Sequence, residues 1–280
     1  MKIIDGKALA QSIRESLKDD VNQLKQNGIN PKLAVILVGN NPASEVYVRN
    51  KAKACEDIGV DFELYRMGKE TTTDELLKLI DRLNEDKNIN GILLQHPCDA
   101  DVDELKAFER IDPLKDVDGF NPVNVGKLTI GQDCLVSCTP YGVMRMLESE
   151  EMDIAGKNVV VIGRSNIVGK PMAALMLKKN ATVTICHSKT KMLKNFTKEA
   201  DILIVAIGKA NFVTNDMVKD GAVVIDVGMN RVDGKLTGDV DFESVKEKTS
   251  YITPVPGGVG PMTIAMLMEN LIKATKLQMM

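Results

Sequence analysis

The chain has 280 residues, with 36 basic and 39 acidic side chains, a net charge of −3 and 44% hydrophobic content. That length can bury a large core and points to two domains. The charge balance contains no basic block of the kind that binds nucleic acid or a membrane surface, and no apolar run approaches the ~18 residues of a membrane span.

The first residues, Met1-Lys-Ile-Ile-Asp5-Gly6, are charged and lead into an amphipathic pattern over Gly6–Gln26, closed by Gly28. A secretory signal reads otherwise, so a cytoplasmic protein is expected. Lys32–Val38 is an all-apolar run of buried-strand type, broken by Gly39-Asn40-Asn41-Pro42. Pro42 can begin the next helix. Val60–Arg66, a helical pattern over Asp74–Glu85 and the run Gly91–Gln95 continue an alternation that predicts parallel α/β architecture. Asp112–Gln132, rich in Gly, Pro, Asn and Asp, is expected to be a loop-rich junction before a helix from about Pro140 to Glu150. A second series of strands is expected at Asn158–Ile162, Ala181–Cys186, Asp201–Ala206 and Ala222–Asp226, and a last helix over Pro261–Lys276. The five cysteines (Cys55, Cys98, Cys134, Cys138 and Cys186) make no CxxC pair, and His96 and His187 are far apart. Neither a disulfide framework nor a metal site is expected.

Chemistry concentrates in a few places. Tyr47 and Lys51 are four residues apart, which puts a phenol and an ammonium on one helix face. Lysine shifts its pKa readily on burial, which suits proton transfer. Gly163-Arg164-Ser165-Asn-Ile-Val-Gly169 follows a strand and precedes a helix, the setting in which backbone N–H groups hold a pyrophosphate. It departs from GxGxxG at Ser165 and in the late final glycine, and a plain strand–turn–helix fits it too. As a P-loop it fails, because Pro171 replaces the magnesium-binding hydroxyl. The stretch Cys186-His187-Ser188-Lys189-Thr190 has no acid for the ribose hydroxyls of NAD. Ser188 with Arg164 suits a 2′-phosphate, so NADP is the expected cofactor; solvated strand-end residues are the bland alternative. Asp116 is expected to make a turn, whereas Asp118, before Gly119 and Phe120, suits an amidine-like ligand edge. Asp99-Ala-Asp101-Val-Asp103 lacks the Gly and Glu of a calcium loop, so Asp101 or Asp103 is expected to cap a helix. Thr253–Thr263 has the Gly and Pro content of a loop that meets a ligand.

Taken in order, Ser44–Lys51, Gly91–Gln95, Lys115–Phe120, Thr139-Pro140, Gly163–Pro171, Ala181–Thr190, Asp226–Gly228, Gly238-Asp239-Val240 and Thr253–Thr263 resemble the bifunctional methylenetetrahydrofolate dehydrogenase/methenyltetrahydrofolate cyclohydrolase family. The Tyr-x-x-x-Lys of short-chain dehydrogenases follows the glycine loop; here it precedes it. The resemblance implies an N-terminal catalytic lobe (1–139), a Rossmann-like NADP lobe (140–261), an active-site cleft between them, and a last helix (262–280) packed back on the first lobe. It implies oxidation of 5,10-methylenetetrahydrofolate by NADP, then hydrolysis to 10-formyltetrahydrofolate, by a homodimer. Lys51 becomes the acid/base, Gln95 its orienting partner, Tyr47 the folate-stacking ring and Asp118 the holder of the pterin. Gly163, Arg164, Ser165, Ser188 and Met229 would line the NADP site, while Gly258, Pro261 and Thr263 would border folate. Two departures stand out: His96-Pro97-Cys98-Asp99 where the family has Leu-Pro-Leu-Pro, and Ser137 where it has Pro. A dehydrogenase without efficient hydrolysis, or a silent dinucleotide-binding subunit, stays open at this point.

Overall fold

The computed structural model describes residues 1–279. Strand β1 (Lys2–Ile3) leads into helix α1 (Gly6–Gln26), followed by β2 (Lys32–Val38) and α2 (Pro42–Ile58). Asn41 accepts the Ala43 N–H at the start of α2, and Gly59 ends it at a φ of 79°, which only glycine adopts without strain. Next come β3 (Asp61–Met67), α3 (Thr73–Glu85) with a Thr72/Glu75 capping box, β4 (Gly91–Leu94), α4 (Glu104–Arg110) and α5 (Pro122–Thr129). Helix α6 (Cys138–Ser149) precedes β5 (Asn158–Ile162), α7 (Gly169–Lys178), β6 (Thr182–Cys186), α8 (Leu193–Thr197), β7 (Ile202–Val205) and β8 (Val223–Asp226). A hairpin of β9 (Asn230–Val232) and β10 (Lys235–Thr237), α9 (Phe242–Val245), β11 (Tyr251–Ile252) and α10 (Val259–Leu277) complete the chain.

These elements form two compact units. One holds Gln11–Cys138 together with the chain from Ile264 onward. Its sheet has the order β3-β2-β4, all parallel. As the central strand, β2 is covered on both faces, which is why its residues after Lys32 are all apolar and buried. Ile36, Val38, Leu76, Ile80 and Leu94 pack with Phe108 in one core cluster. Gly91 in β4 must lack a side chain, because a Cβ there would strike Val117 and Leu271. Asn270, 1% exposed, donates from Nδ2 to the carbonyl oxygens of Val117 and Val136, each at 2.8 Å. The last helix therefore fastens two segments that lie outside the named strands.

The expectation of a loop across Asp112–Gln132 needs correction. Pro122–Thr129 is helical, started by the same Asn-Pro signature as α2: Asn121 accepts the Val123 N–H and Pro122 occupies the first turn. Gly126 within the segment disguises it, since glycine weakens helix propensity.

The other unit comprises Met1–Ala10 and Thr139–Thr263. Its sheet runs β1-β11-β8-β7-β5-β6, with each paired strand parallel. Val160, Ile162, Leu203, Val205 and Val224 fill its core. The chain leaves β5 for β6 on one side and returns to β7 on the other, so the carboxyl ends of β5 and β7 mark the topological switch point. The first ten residues, expected in the first lobe, belong here. β1 adds to β11, with Ile4 N donating to the Ile252 carbonyl at 2.9 Å. A two-residue strand carries no readable alternation, which is why the pattern did not announce it.

Replacing Asn270 by Leu would take the amide donor from both carbonyls and leave the Val117 carbonyl with only the weak Cys138 thiol. At roughly 1–3 kcal/mol for each buried polar group left unsatisfied, a loss of about 2–4 kcal/mol is expected. The check is urea denaturation, in which the midpoint falls with little change in slope.

Candidate functional site

Helix α2 carries Tyr47 and Lys51 on consecutive turns, with Val48, Cys55 and Ile58 on its buried face. Tyr47 is 38% exposed, so its ring is presented rather than packed away. Lys51 Nζ donates to Gln95 Oε1 at 3.0 Å. Gln95 follows β4, is buried, and donates from Nε2 to the His96 carbonyl at 2.9 Å. That second bond fixes which end of the amide faces the lysine. Burial drives the Lys51 pKa below 10.5, and the nearby Asp118, Cys138 and Cys55 oppose the shift. The Asp118 pKa is raised by burial, against the pull of Lys51, a hydrogen bond with Cys138 and the charge of His96. The structure therefore brings Lys51, Gln95 and Asp118 together, with an amine whose hold on its proton is weakened by burial beside a carboxyl group.

Two further residues of this cluster escaped the sequence. Cys138 is buried, donates from Sγ to the Val117 carbonyl at 3.3 Å, and has its thiol pKa pushed well up by burial and by Asp118. Nothing in local spacing singles it out. Asn270 did have a signal, a lone amide next to Glu269 in the otherwise apolar stretch Met266–Ile272.

Asp116 exceeds its expected turn role. Its carboxylate accepts the N–H groups of Phe120 and Asn121 and the Asn124 Nδ2, at 3.1, 2.9 and 2.8 Å. Burial nevertheless raises its pKa to about 7. Beside it, Lys115 Nζ donates to the carbonyls of Leu83, Asn84 and Asp86, satisfying the end of α3. Gly119, at a φ of 71°, lies against the backbone of Val136 and Ser137, where a Cβ would not fit. Asp118 is thus mounted on a loop fixed from both sides. The unusual His96 is exposed, with Nδ1 on Glu104, and Glu104 Oε1 also accepts the Cys98 N–H at 2.6 Å. Of the two acids expected to cap a helix, Asp103 does so for α4.

In the other unit, Gly163 ends β5 at a φ of 133°, and a Cβ there would strike the Ala206 carbonyl oxygen. Gly169 packs on the Gly163 carbonyl in the same way. Ser165, in the second glycine position, accepts the N–H groups of Val168 and Gly169 at 3.1 and 3.4 Å and so braces the entry to α7. Arg164, Ser165, Ser188 and Met229 are exposed. His187 turns into its own loop, where its Nδ1 accepts the Lys189 N–H at 3.2 Å and Thr190 Oγ1 accepts its N–H at 2.8 Å. The end of β6 offers an exposed hydroxyl and an exposed ammonium and no carboxylate, a donor set that fits a ribose carrying a phosphate. Thr263 Oγ1 lies 3.0 Å from Thr139 Oγ1. Pro261 keeps partial exposure, whereas Gly258 is buried under Gly6, whose missing side chain makes room for the Gly258 carbonyl.

Residues 4–118 match the family described as "Tetrahydrofolate dehydrogenase/cyclohydrolase, catalytic domain", and residues 137–279 match its "NAD(P)-binding domain". The "Bifunctional protein FolD" of Halalkalibacterium halodurans is 60% identical over 274 residues, 98% of each chain. The crystal structure of the bifunctional enzyme FolD from Campylobacter jejuni is 52% identical, with a TM-score of 0.98 over 99% of both chains. The Trypanosoma brucei FolD, complexed with NADP cofactor and inhibitor, is 37% identical, with a TM-score of 0.94 over 99% of this chain and 98% of that one.

The Lys51 environment predicts a titration. Its folded pKa lies below 10.5, so the neutral amine grows in as pH rises toward that value. In the same window the unfolded chain binds the extra proton, and stability rises with pH. Competitive acetylation of Lys51 across pH should give a midpoint below 10.5. Asp118→Asn removes a charge that raises this pKa and should move the midpoint lower still.

Proposed function

The chain belongs to the tetrahydrofolate dehydrogenase/cyclohydrolase family, and from that premise we propose that it carries out both reactions on one folate. It oxidises 5,10-methylenetetrahydrofolate to the 5,10-methenyl cation with NADP and hydrolyses that cation to 10-formyltetrahydrofolate. The observation that carries the assignment is the half-buried Lys51, its amine bonded to Gln95 and near Asp118. It argues against both a silent subunit and a dehydrogenase lacking the second step.

NADP, when bound, supplies the hydride acceptor for the first step. Gly163, Arg164, Ser165, Ser188 and Met229 would hold it, and the glycine at 163 and the cationic, acid-free strand end support that fit. Oxidation asks of the protein chiefly that donor and acceptor carbons be positioned. Tyr47 would stack on the folate ring and Asp118 would pair with the pterin edge, while Gly258, Pro261 and Thr263 would border the substrate. Hydrolysis adds water to the methenyl carbon and breaks its bond to N5, releasing one proton overall. Lys51 Nζ is suited to take the water proton and pass one to the departing nitrogen, with Gln95 holding the amine in line.

Finer points belong to the same proposal. A homodimer is supported by β6, an edge strand with Ile185 39% exposed, and by the exposed Leu177 of α7. A cytoplasmic site suits five cysteines that form no disulfide. The 10-formyl product would feed one-carbon transfer, purine biosynthesis included.

Lys51→Gln should lower methenyl hydrolysis by about 10²–10⁴-fold while sparing part of the NADP reduction, measured by following both products. Retained hydrolysis would remove Lys51 from its role. Arg164→Ala should cut the preference for NADP over NAD about tenfold, the equivalent of one lost charge-assisted contact, read as the ratio of kcat/KM values.

A further inference from the structure

Two motifs in the sequence, Asp226-Val-Gly228 and Gly238-Asp239-Val240, have no part in the chemistry above. In the structure they interlock. Asp239 is fully buried. Its Oδ2 accepts the N–H groups of Ile207 and Gly208 at 2.7 and 2.9 Å, and its Oδ1 accepts the Lys209 N–H at 2.7 Å and the Asn230 Nδ2 at 2.9 Å. Three successive backbone N–H groups converging on one anion make the kind of concavity that elsewhere binds phosphate. Here the anion is a side chain of the protein itself. Asp226 holds Asp239 in turn, accepting the Asp239 and Gly228 N–H groups on Oδ1 and the Val240 N–H on Oδ2, each at 2.9 Å. Gly228 and Gly238 leave room for the carboxylates: a Cβ on Gly228 would strike Asp239, and one on Gly238 would strike Asp226.

The clasped segment begins beside the glycine loop. Ala206, immediately before it, presents the carbonyl oxygen against which Gly163 is packed. β7 and β5 are neighbours, so 207–209 leaves the sheet at the topological switch point, where doubly wound sheets bind their ligands. Gly208 faces open space at a φ of 65°. Asn230, the fourth donor to Asp239, directly follows Met229. One carboxylate therefore fixes both the segment after β7 and the segment that presents Met229.

We propose that Asp239 is a positioning residue of the dinucleotide site, holding segments 207–209 and 229–230 in the shape that receives NADP. This rests on the NADP reading above. A carboxylate that served only to hold the fold together would weaken both reactions alike. A positioning carboxylate acts on dinucleotide affinity first.

The test is Asp239→Asn, which keeps the volume but loses the charge and turns an amide donor toward backbone donors. Calorimetry measures NADP binding, amide exchange follows Ile207, Gly208 and Lys209, and methenyl hydrolysis without dinucleotide reports on the rest of the protein. The expected result is an NADP dissociation constant and KM at least tenfold higher, faster exchange at 207–209, and a far smaller effect on hydrolysis. Unchanged NADP affinity, or an equal loss in hydrolysis, would overturn the proposal. Should that variant not fold, Asn230→Ala removes one of the four hydrogen bonds. At least threefold weaker NADP binding supports the role, and unchanged binding overturns it. Wild-type protein that binds no NADP would sink the cofactor reading itself, and this proposal with it.

Discussion

A backbone N–H in a loop has no ladder to join, and a buried one must find an acceptor or cost more than a typical hydrogen bond returns. In both units of this protein the acceptor is a buried carboxylate. Asp116 gathers Phe120 and Asn121 in one unit; Asp226 and Asp239 gather six backbone N–H groups in the other. Hydrogen bonds to an ionised acceptor are roughly twice as strong as neutral ones, so a few acids can hold segments that regular secondary structure does not reach. The loops beyond the strand ends owe their shape to this arrangement.

The cost of burying those acids shows in their titration. Burial raises Asp116 to about 7 and Asp226 to about 6, although each accepts several hydrogen bonds that favour the charge. Desolvation therefore outweighs the stabilising contacts at both sites. Lys51 follows the same logic with the opposite sign: burial lowers its pKa, and the neighbouring carboxyl offsets only part of the shift. An exposed lysine would be a permanent ammonium. One that is desolvated and bonded to a neutral amide can exchange its proton, as hydrolysis of a cationic intermediate requires.

Glycines do complementary work at a few positions. Gly163 and Gly119 are placed where another backbone passes within van der Waals contact, and both have positive φ. Gly228 and Gly238 make space for the carboxylates of the interlocked acids. Gly258 is different. Its burial against Gly6 gives it a packing reason independent of any ligand. The Gly-Pro richness of Thr253–Thr263 is thus partly a matter of chain packing, whatever part Pro261 and Thr263 take with substrate.

Much of the fold could be read in advance, because periodicity and capping are local. The runs at Lys32–Val38 and Asn158–Ile162 and the pair Asn41-Pro42 each state their own conformation. Tyr47 and Lys51 were legible for the same reason, since helical spacing alone puts them on one face. Pattern reading failed where the determining partner was remote. β1 exists because β11 accepts it, 249 residues away at the Lys2–Tyr251 pair; α5 is hidden by one glycine. Cys138 looks ordinary in sequence, and no local pattern tells which remote groups Asn270 and Asp239 hold. The sequence by itself determined the α/β class, the order of motifs and the helical spacing that sets Tyr47 and Lys51 on one face. Only the tertiary structure decided which way Gln95 faces, how far desolvation shifts Lys51, and which acids hold the loops. Those properties depend on distances between segments remote in the chain, and no local pattern encodes them.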